Sequence, residues 1–326
     1  MKNIQNELKG VFPVVPTPMG IDEELDFCGL TSCIDHYLKA DVNGLTILGS
    51  GGELPYLSDE EQLKILIQSS QKVAKRKPII VGVNTFSAQH AAAKILTYQQ
   101  YADAVLLLFT DYYIVDFEDL MLAIEEVAST SPLPILYYHF PQVSGLFLKP
   151  QQLVAILKLD NVIGIKDSAL NHCAAKKILK GAAGTHYFTG LGLLYPQLIE
   201  AGCVGAICPL AAISPTLAKE LYESSLAKKR TEAKVKHKQL SQLLPIISKP
   251  SAVSELQMHM LSLIGRLPFQ MFKKALSPHA ASKEALRHLG LPISSGVRSP
   301  LQSLKKGDSE NILACLKRAG LKTIAR

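Results

Sequence analysis

The chain has 326 residues, of which 48% are hydrophobic and 19% are charged. This composition supplies a large buried core and excludes a disordered chain. The formal net charge of +7 is mild for the length, and by itself it leaves nucleic acid or another acidic surface open as a partner. The basic excess lies toward the C-terminus, because residues 227–238 and residues 298–326 carry +5 each and the remainder sums to −3.

The six cysteines predict neither a zinc site nor a thioredoxin-type motif, because none of them forms a C-x-x-C pair. Scattered thiols with apolar neighbours are typical of the reduced core of a cytoplasmic protein. The first ten residues contain no apolar segment of the kind found in secretory signals. Two long uncharged stretches, Gly181–Ile199 and Ala201–Ala218, are broken by glycine and proline. We therefore expect a cytoplasmic protein with no membrane span.

Short apolar runs that recur along the chain predict eight buried strands. They are Val11–Val15, Gly44–Leu48, Pro78–Val83, Ala104–Leu108, Pro134–Tyr138, Val162–Lys166, His186–Gly190 and Val204–Cys208. Most are continuously apolar, which is typical of parallel strands that are covered on both faces.

Segments with helical spacing lie between these strands. The clearest is Ser58–Val73, where Ser58 can cap the helix and Glu61 follows three residues later. The others are Leu25–Leu38, Ser87–Gln100, Phe117–Ser129, Lys149–Leu157, His172–Lys180, Leu193–Ala201 and Thr216–Lys228. Beyond Lys228 the strand signal stops, and further helices are predicted at Leu240–Ile247, Val253–Ile264, Phe269–Leu276, Ser282–Leu289 and Ser309–Ala319.

Eight strand–helix pairs predict a (β/α)8 TIM barrel over residues 1–228, with a C-terminal helical region over residues 229–326. A doubly wound open sheet is the rival fold. The turn after the first strand reads PTPMG, however, and lacks the G-x-G-x-x-G pattern usual in that fold. Active sites of α/β barrels lie at the carboxyl ends of the strands, so the candidate residues are those that follow each strand.

Lys166 and Tyr138 end two consecutive predicted strands. Burial disfavours the charged form of an amine, and a neutral lysine amine attacks ketones to form a Schiff base. A neighbouring phenol can shuttle protons during that reaction. Each residue also has a purely structural reading, in which Lys166 pairs with an acid such as Asp167 and Tyr138 packs in the core. His139 is expected to face the helices, because side chains alternate along a strand.

The turn after the second strand, Gly49-Ser50-Gly51-Gly52-Glu53, offers backbone N–H groups with little side-chain bulk. Such a concavity suits a small anion such as a carboxylate, to which Ser50 can add a hydroxyl while Glu53 braces the turn from within. A glycine-rich turn on its own is equally a tight connection, and no Lys-Ser/Thr follows it as in a P-loop.

Four motifs resemble those of the dihydrodipicolinate synthase/N-acetylneuraminate lyase family of Schiff-base-forming aldolases. They are Gly49-Ser50-x-Gly52-Glu53, Tyr112-Tyr113, Tyr138-x-x-Pro141-x-x-Ser144-Gly145 and Gly164-Ile165-Lys166-Asp167. All four follow predicted strands in the order expected for the family, and the resemblance covers nearly the whole chain. The motifs are specific for the family and much less specific for the substrate.

The resemblance implies a role for each matching residue. Lys166 would form the imine with C2 of pyruvate or another 2-oxo acid, and Tyr138 would be the proton shuttle. Ser50 and the N–H groups of Ser50 and Gly51 would hold the carboxylate, and Ile207 would line the pyruvate pocket. Tyr113 would complete a proton relay across a dimer interface, which implies a homo-oligomer, commonly a tetramer. The lysine imine is itself the electron sink, so neither a metal nor an organic cofactor is implied.

Three departures from the family pattern bear on the substrate. Gly51 stands where the synthase usually has a second threonine, and Val143 stands where it usually has the arginine that binds the aldehyde partner. Gly190-Leu191-Gly192-Leu193 lacks the carboxylates with which sialic acid lyases bind sugar hydroxyls. The first motif is closest to 2-keto-3-deoxy-gluconate aldolase-type members. These features favour cleavage of a short 2-oxo acid, a 2-keto-3-deoxy sugar acid or 4-hydroxy-2-oxoglutarate.

Other functions stay open. A 4-hydroxy-tetrahydrodipicolinate synthase that condenses pyruvate with aspartate semialdehyde is the first, and weak or absent activity of that kind is expected. A catalytically silent paralogue that binds a 2-oxo acid is the second. A nucleic-acid binder is disfavoured, because the basic run 227–238 holds no aromatic residue and is typical of a solvated helix face. The nine histidines show no metal-binding spacing.

Overall fold

The structure of the chain is a computed structural model, of which residues 4–20, 22–248 and 278–324 are described. Eight strands form one parallel sheet: β1 (Gly10–Pro13), β2 (Leu45–Ile47), β3 (Ile79–Thr85), β4 (Ala104–Phe109), β5 (Ile135–His139), β6 (Val162–Asp167), β7 (His186–Thr189) and β8 (Cys203–Cys208). Hydrogen bonds join neighbours from β2 through β8 to β1. The Val15 N–H donates to the Thr46 carbonyl at 2.9 Å and so links the two ends of the sheet. The predicted TIM barrel is confirmed.

Helices follow the strands and cover the barrel. They are α1 (Ile4–Glu7), α2 (Phe27–Lys39), α3 (Asp59–Val73), α4 (Ala88–Tyr98), α5 (Phe117–Thr130), α6 (Pro141–Ser144), α7 (Pro150–Ile156), α8 (His172–Gly181), α9 (Tyr195–Leu198), α10 (Pro209–Ile213), α11 (Pro215–Leu226), α12 (Arg230–Ser241), α13 (Leu244–Ile247), α14 (His279–His288) and α15 (Asp308–Arg318). The predicted capping box of α3 is present, with Ser58 Oγ accepting from the Glu61 N–H and Glu61 accepting from the Ser58 N–H.

Two packed layers follow from strand alternation. Side chains that point inward fill the barrel, among them Phe12 and Phe188, whose rings meet edge to face with centres 5.6 Å apart. Side chains that point outward, such as Tyr137 and Ile165, join the larger core between the strands and the helices. Residues adjacent in sequence at a strand end therefore belong to different environments.

The predicted helix Leu240–Ile247 is wrong in its bounds. Helix α12 ends at Ser241, and a new short helix, α13, begins at Leu244 with Pro245 in its first turn. Proline lacks an N–H and its ring clashes with the carbonyl four residues earlier, here that of Ser241. The predicted helix Leu193–Ala201, which contains Pro196, is likewise a series of short helical turns. The predicted helices Val253–Ile264 and Phe269–Leu276 lie outside the described residues.

The C-terminal helices share a core with the barrel. Ala285 of α14 and Leu316 of α15 are buried in one cluster with Val11 of β1 and Ala206 of β8. This core crosses the predicted boundary at residue 228, and the division into two units stays a prediction.

None of the described helices is long and apolar enough to cross a lipid bilayer. All six cysteines carry free thiols. Cys33, Cys203, Cys208 and Cys315 are buried, as predicted for core residues, whereas Cys28 and Cys173 are exposed.

Candidate active site

The ends of β5 and β6 bring Tyr138 and Lys166 together. The two residues are register partners in the sheet, and their exposed fractions are 4% and 3%. Lys166 Nζ lies 3.9 Å from the centre of the Tyr138 ring. The amine and the phenol therefore face the same space inside the mouth of the barrel.

Ser50 approaches the same tyrosine from the other side of the mouth. Its hydroxyl donates to the Tyr138 hydroxyl at 3.4 Å. Ser50 and Gly51 open a short 3-10 turn, so their N–H groups have no acceptor within that turn. A Cβ atom on Gly51 would lie 3.2 Å from Val14 of the adjacent chain segment, so a larger residue there would need Val14 to give way. The turn can thus present a hydroxyl and two amide donors to an anion.

The turn is held in place from the C-terminal region. Glu53 has a left-handed backbone (φ 63°), is fully buried and forms an ion pair with Lys283 of α14, which is also fully buried. The second Glu53 oxygen accepts from the Arg298 N–H at 3.2 Å. His279 Nε2 donates to the Ser50 carbonyl at 2.7 Å, because a carbonyl oxygen can only accept. Burial lowers the pKa of His279.

Asp167 is not a partner of Lys166. Its carboxylate is bound by His139 Nδ1 at 3.0 Å and by the Tyr187 hydroxyl at 2.6 Å. Within the described residues, no ion pair involves Lys166. As predicted, His139 lies on the opposite face from Tyr138. The structural reading of Lys166 as half of an ion pair with Asp167 is therefore wrong.

One cavity of about 420 Å³ contains most of the predicted site residues. Lys166, Tyr138, Ser50, Gly51, Gly190 and Val143 all line it. Two predicted residues are placed elsewhere. Ile207 is fully buried beside Phe12 in the barrel interior and is not among the described residues that line the cavity.

Tyr113 is the second predicted residue outside the cavity. It lies in the loop after β4, is 78% exposed and contacts Tyr112 edge to face. Within a single chain it does not reach the cavity. The predicted relay through Tyr113 therefore requires a second copy of the chain.

The cavity has further walls that the sequence did not indicate. His279 and Ser282 of α14 line it, as do Asn84 at the end of β3 and Gln142 of α6. Gln142 lies inside a motif that the sequence did single out, directly after Pro141. The α14 residues had no such signal, because a lone histidine in a helical region matches no motif.

The described residues contain no group of three or more His, Cys, Asp or Glu side chains placed to hold a metal ion.

Comparison with known proteins agrees with this geometry. The model of the dihydrodipicolinate synthetase family matches residues 7–283. YagE of Escherichia coli K12, named as a candidate 2-dehydro-3-deoxy-D-gluconate aldolase, is 32% identical over 185 residues, 56% of this chain and 61% of YagE. A 4-hydroxy-tetrahydrodipicolinate synthase of Coxiella burnetii is 28% identical over 86% of this chain and 98% of its own length.

The crystal structure of YagE in complex with pyruvate superimposes with a TM-score of 0.83 at 26% identity, covering 97% of this chain and 99% of that one. The sequence alignment with YagE spans only about three fifths of that protein, whereas the structural match spans almost all of it. The fold, the matched family model and the order of the motifs all agree. The chain belongs to the dihydrodipicolinate synthetase family and is an enzyme of the lyase class.

Proposed function

We propose that this enzyme is a class I aldolase that cleaves, or in reverse forms, a short 2-oxo acid with pyruvate as the imine-bound partner. The observation that carries the proposal is the juxtaposition in one buried mouth of the Lys166 amine, the Tyr138 phenol and the Ser50 hydroxyl. Together they supply a nucleophile, a proton carrier and a hydrogen-bond donor for the carboxylate, the three groups that imine chemistry on a 2-oxo acid requires.

Lys166 Nζ attacks C2 of the bound 2-oxo acid and forms a carbinolamine. Tyr138 delivers a proton to the departing hydroxyl, water leaves, and a protonated imine remains. The substrate carboxylate lies against the N–H groups of Ser50 and Gly51, which the turn fixes before substrate arrives, and the Ser50 hydroxyl rotates from Tyr138 to donate to it.

Cleavage then breaks the C3–C4 bond. The Tyr138 phenolate takes the proton from the C4 hydroxyl, and the bond electrons move into the imine to give an enamine and a free aldehyde. Protonation of the enamine at C3 and hydrolysis of the imine by one water release pyruvate and restore the Lys166 amine. Each step needs only the substrate, water and the side chains named here.

The residues that line the cavity favour a substrate whose aldehyde fragment is uncharged. Val143 and Leu191 are among the apolar residues that line it, and Gln142 and Ser168 are among the polar ones. Among the described lining residues, Lys166 is the one lysine or arginine. A second carboxylate, as in 4-hydroxy-2-oxoglutarate or aspartate semialdehyde, would thus meet no guanidinium among the described residues that line the cavity. We favour a 2-keto-3-deoxy sugar acid, with 4-hydroxy-2-oxoglutarate second and the synthase reaction last.

The proposal includes a homo-oligomer, a dimer or tetramer, in which Tyr113 reaches the site of a neighbouring copy. It is supported by the exposure of three consecutive large side chains, Tyr112 (81%), Tyr113 (78%) and Ile114 (96%). Contiguous exposed apolar groups of this kind mark protein–protein contacts. We also propose a cytoplasmic location, which the buried free thiols of Cys33, Cys203 and Cys208 support.

Borohydride trapping with pyruvate tests the core of the proposal. We expect the wild-type protein to gain one reduced pyruvate adduct on Lys166, located by peptide mass spectrometry. Lys166→Ala should give none, whereas Lys177→Ala, a substitution of an exposed lysine on α8, should behave as wild type. No adduct on the wild type, or an adduct on another lysine, would refute the aldolase.

A substrate panel then separates the alternatives. Pyruvate release is measured from 2-keto-3-deoxy-gluconate and from 4-hydroxy-2-oxoglutarate, and condensation is measured with aspartate semialdehyde. An ordinary rate of condensation would show that the protein is the synthase. A Lys166 adduct with no turnover of any of these substrates would instead support the silent, 2-oxo-acid-binding paralogue.

A further inference from the structure

A buried hydrogen-bonded group stands directly behind the reacting pair. Asp167 follows Lys166 on β6, and His139 follows Tyr138 on β5. His139 and Asp167 are register partners, as are Tyr138 and Lys166. The strand ends therefore carry two cross-strand pairs, one that faces the cavity and one that faces the helices.

The outward pair is joined by direct hydrogen bonds. His139 Nδ1 lies 3.0 Å from Asp167 Oδ1, and Tyr187 of β7 donates its hydroxyl to Asp167 Oδ2 at 2.6 Å. The Ala169 N–H also donates to Asp167 Oδ1, at 2.9 Å. All three side chains are at least 96% buried. One carboxylate thus connects the ends of β5, β6 and β7.

These contacts determine the charge of Asp167 and the ring nitrogen of His139 that carries the proton. Burial raises the pKa of Asp167, but the hydrogen bond and electrostatic attraction of His139, together with the hydrogen bonds from Tyr187 and the Ala169 N–H, outweigh it, so that the pKa of this carboxyl is lowered. An ionised carboxylate only accepts, so His139 Nδ1 carries the proton. His139 Nε2 is buried with no hydrogen-bond partner among the described residues, and the ring is therefore oriented through Nδ1.

We propose that Asp167, His139 and Tyr187 form a positioning network that fixes the separation between the Lys166 amine and the Tyr138 phenol. The network touches no substrate, and its effect on the reaction rests on the proposed roles of Lys166 and Tyr138. It acts by holding β5 and β6 in register at the one point where both reacting side chains leave the sheet. A displacement of about 1 Å between reacting groups costs on the order of 100-fold in rate.

The chain provides a matched pair of tyrosines for the test. Tyr187→Phe removes one buried hydroxyl from the network. Tyr98→Phe removes one buried hydroxyl that donates to Gln62 at 3.1 Å, on helices α4 and α3, which supply none of the described residues that line the cavity. Both substitutions remove a single hydrogen bond from a buried ring, and rates are compared at a temperature where both variants are fully folded, because the bond to the Asp167 carboxylate contributes more to stability than the bond to the Gln62 amide.

Two readouts need pyruvate alone: the rate of borohydride-trappable imine formation, and the exchange of pyruvate methyl protons for deuterium by NMR. We expect Tyr187→Phe to slow both about 10- to 100-fold at saturating pyruvate, with KM for exchange unchanged. Tyr98→Phe should keep wild-type rates. Wild-type rates in Tyr187→Phe, or equal slowing in Tyr98→Phe, would overturn the network.

A second pair of variants covers the case in which Tyr187→Phe does not fold. His139→Asn can place an amide N–H near the position of Nδ1 and should keep most of the wild-type rate of imine formation. His139→Leu has no donor, and imine formation should be slow in it. Equal rates in these two variants would overturn the network. A wild-type protein that forms no Lys166 adduct would refute the proposed function itself, and normal trapping in wild type with no effect of the variants would refute the network alone.

Discussion

The two walls of the candidate site are built in different ways. The strand wall consists of the ends of β5, β6 and β7, where Tyr138, Lys166 and the residues behind them are placed by sheet register. The turn wall, Gly49–Glu53, is held by residues far away in sequence. His279 binds Ser50 across 229 positions, and Arg298 binds Glu53 across 245.

The two walls have different roles in the proposed reaction. The strand wall carries the groups that make and break bonds in the proposed reaction, and the register of β5 and β6 places them side by side. The turn wall carries the donors for the substrate carboxylate, and its geometry depends on the C-terminal region. Substitutions in the strand wall should therefore lower turnover, whereas substitutions that loosen the turn wall should lower stability and raise KM.

The largest expected effect is on the strand wall. Tyr138→Phe removes the proposed proton carrier and leaves the Lys166 amine and its aromatic neighbour in place. We expect a loss of about 10²- to 10⁴-fold in turnover, the range for general acid–base groups, while the Lys166 adduct still forms on prolonged trapping. Steady-state kinetics on the best substrate of the panel, together with methyl-proton exchange, measure the loss. Full activity in Tyr138→Phe would contradict the shuttle.

The sequence predicts the strand wall well for a physical reason. An apolar run followed by Lys166 or Tyr138 is local information, and parallel strands place their carboxyl ends at one edge. Lys166 and Tyr138 were therefore found without knowledge of any long-range contact. The exclusion of Ile207 from the cavity lining could not be predicted in this way, because which buried strand residues reach a cavity depends on the tertiary packing, which no local pattern encodes.

The turn wall could be predicted only in part. Gly51 and Ser50 are visible as a concave turn, but the partners of that turn are not. Nothing in the local sequence around Lys283 distinguishes a fully buried lysine from an ordinary helix-surface lysine. The contact with Glu53 exists because α14 returns to the mouth of the barrel, and this is a property of the tertiary fold alone.

Lys283→Met should produce the next largest effect, on stability. It leaves the Glu53 carboxylate buried without its ammonium partner, and removing one member of a buried ion pair costs about 3–5 kcal/mol. Urea denaturation measures the free energy of unfolding, and the KM for pyruvate exchange should rise in the folded fraction. The cost should exceed that of Tyr98→Phe, since a neutral buried hydrogen bond contributes about 1 kcal/mol.

Two controls show whether the effect comes from the pair. Adding Glu53→Gln to Lys283→Met removes the unpaired charge and should recover part of the lost stability. Lys64→Met, which breaks the exposed pair between Lys64 and Glu60 on α3, should change little. If Lys283→Met were no more destabilising than Lys64→Met, the C-terminal region would not hold the turn, and the contrast between the two walls would fail.

The smallest expected effect is a pH dependence in the turn wall. Burial lowers the pKa of His279 below its ordinary value of 6.5. Below pH 6.5 the unfolded chain therefore binds a proton that the folded chain does not, and the free energy of unfolding falls as the pH is lowered toward the folded-state pKa. Burial lowers the pKa of His36 in the same direction, so part of this acid destabilisation persists without His279.

His279→Gln isolates the His279 contribution. Glutamine keeps an N–H donor for the Ser50 carbonyl but does not titrate. We expect the difference in Tm between pH 7.5 and pH 5.5 to be smaller in His279→Gln than in wild type. His90→Gln, a substitution of an exposed histidine on α4, should keep the wild-type difference. A wild-type pH dependence in His279→Gln would mean that the imidazole takes up a proton about as readily in the folded protein as in the unfolded chain, so that burial of this ring beside the turn wall would not oppose its charged form.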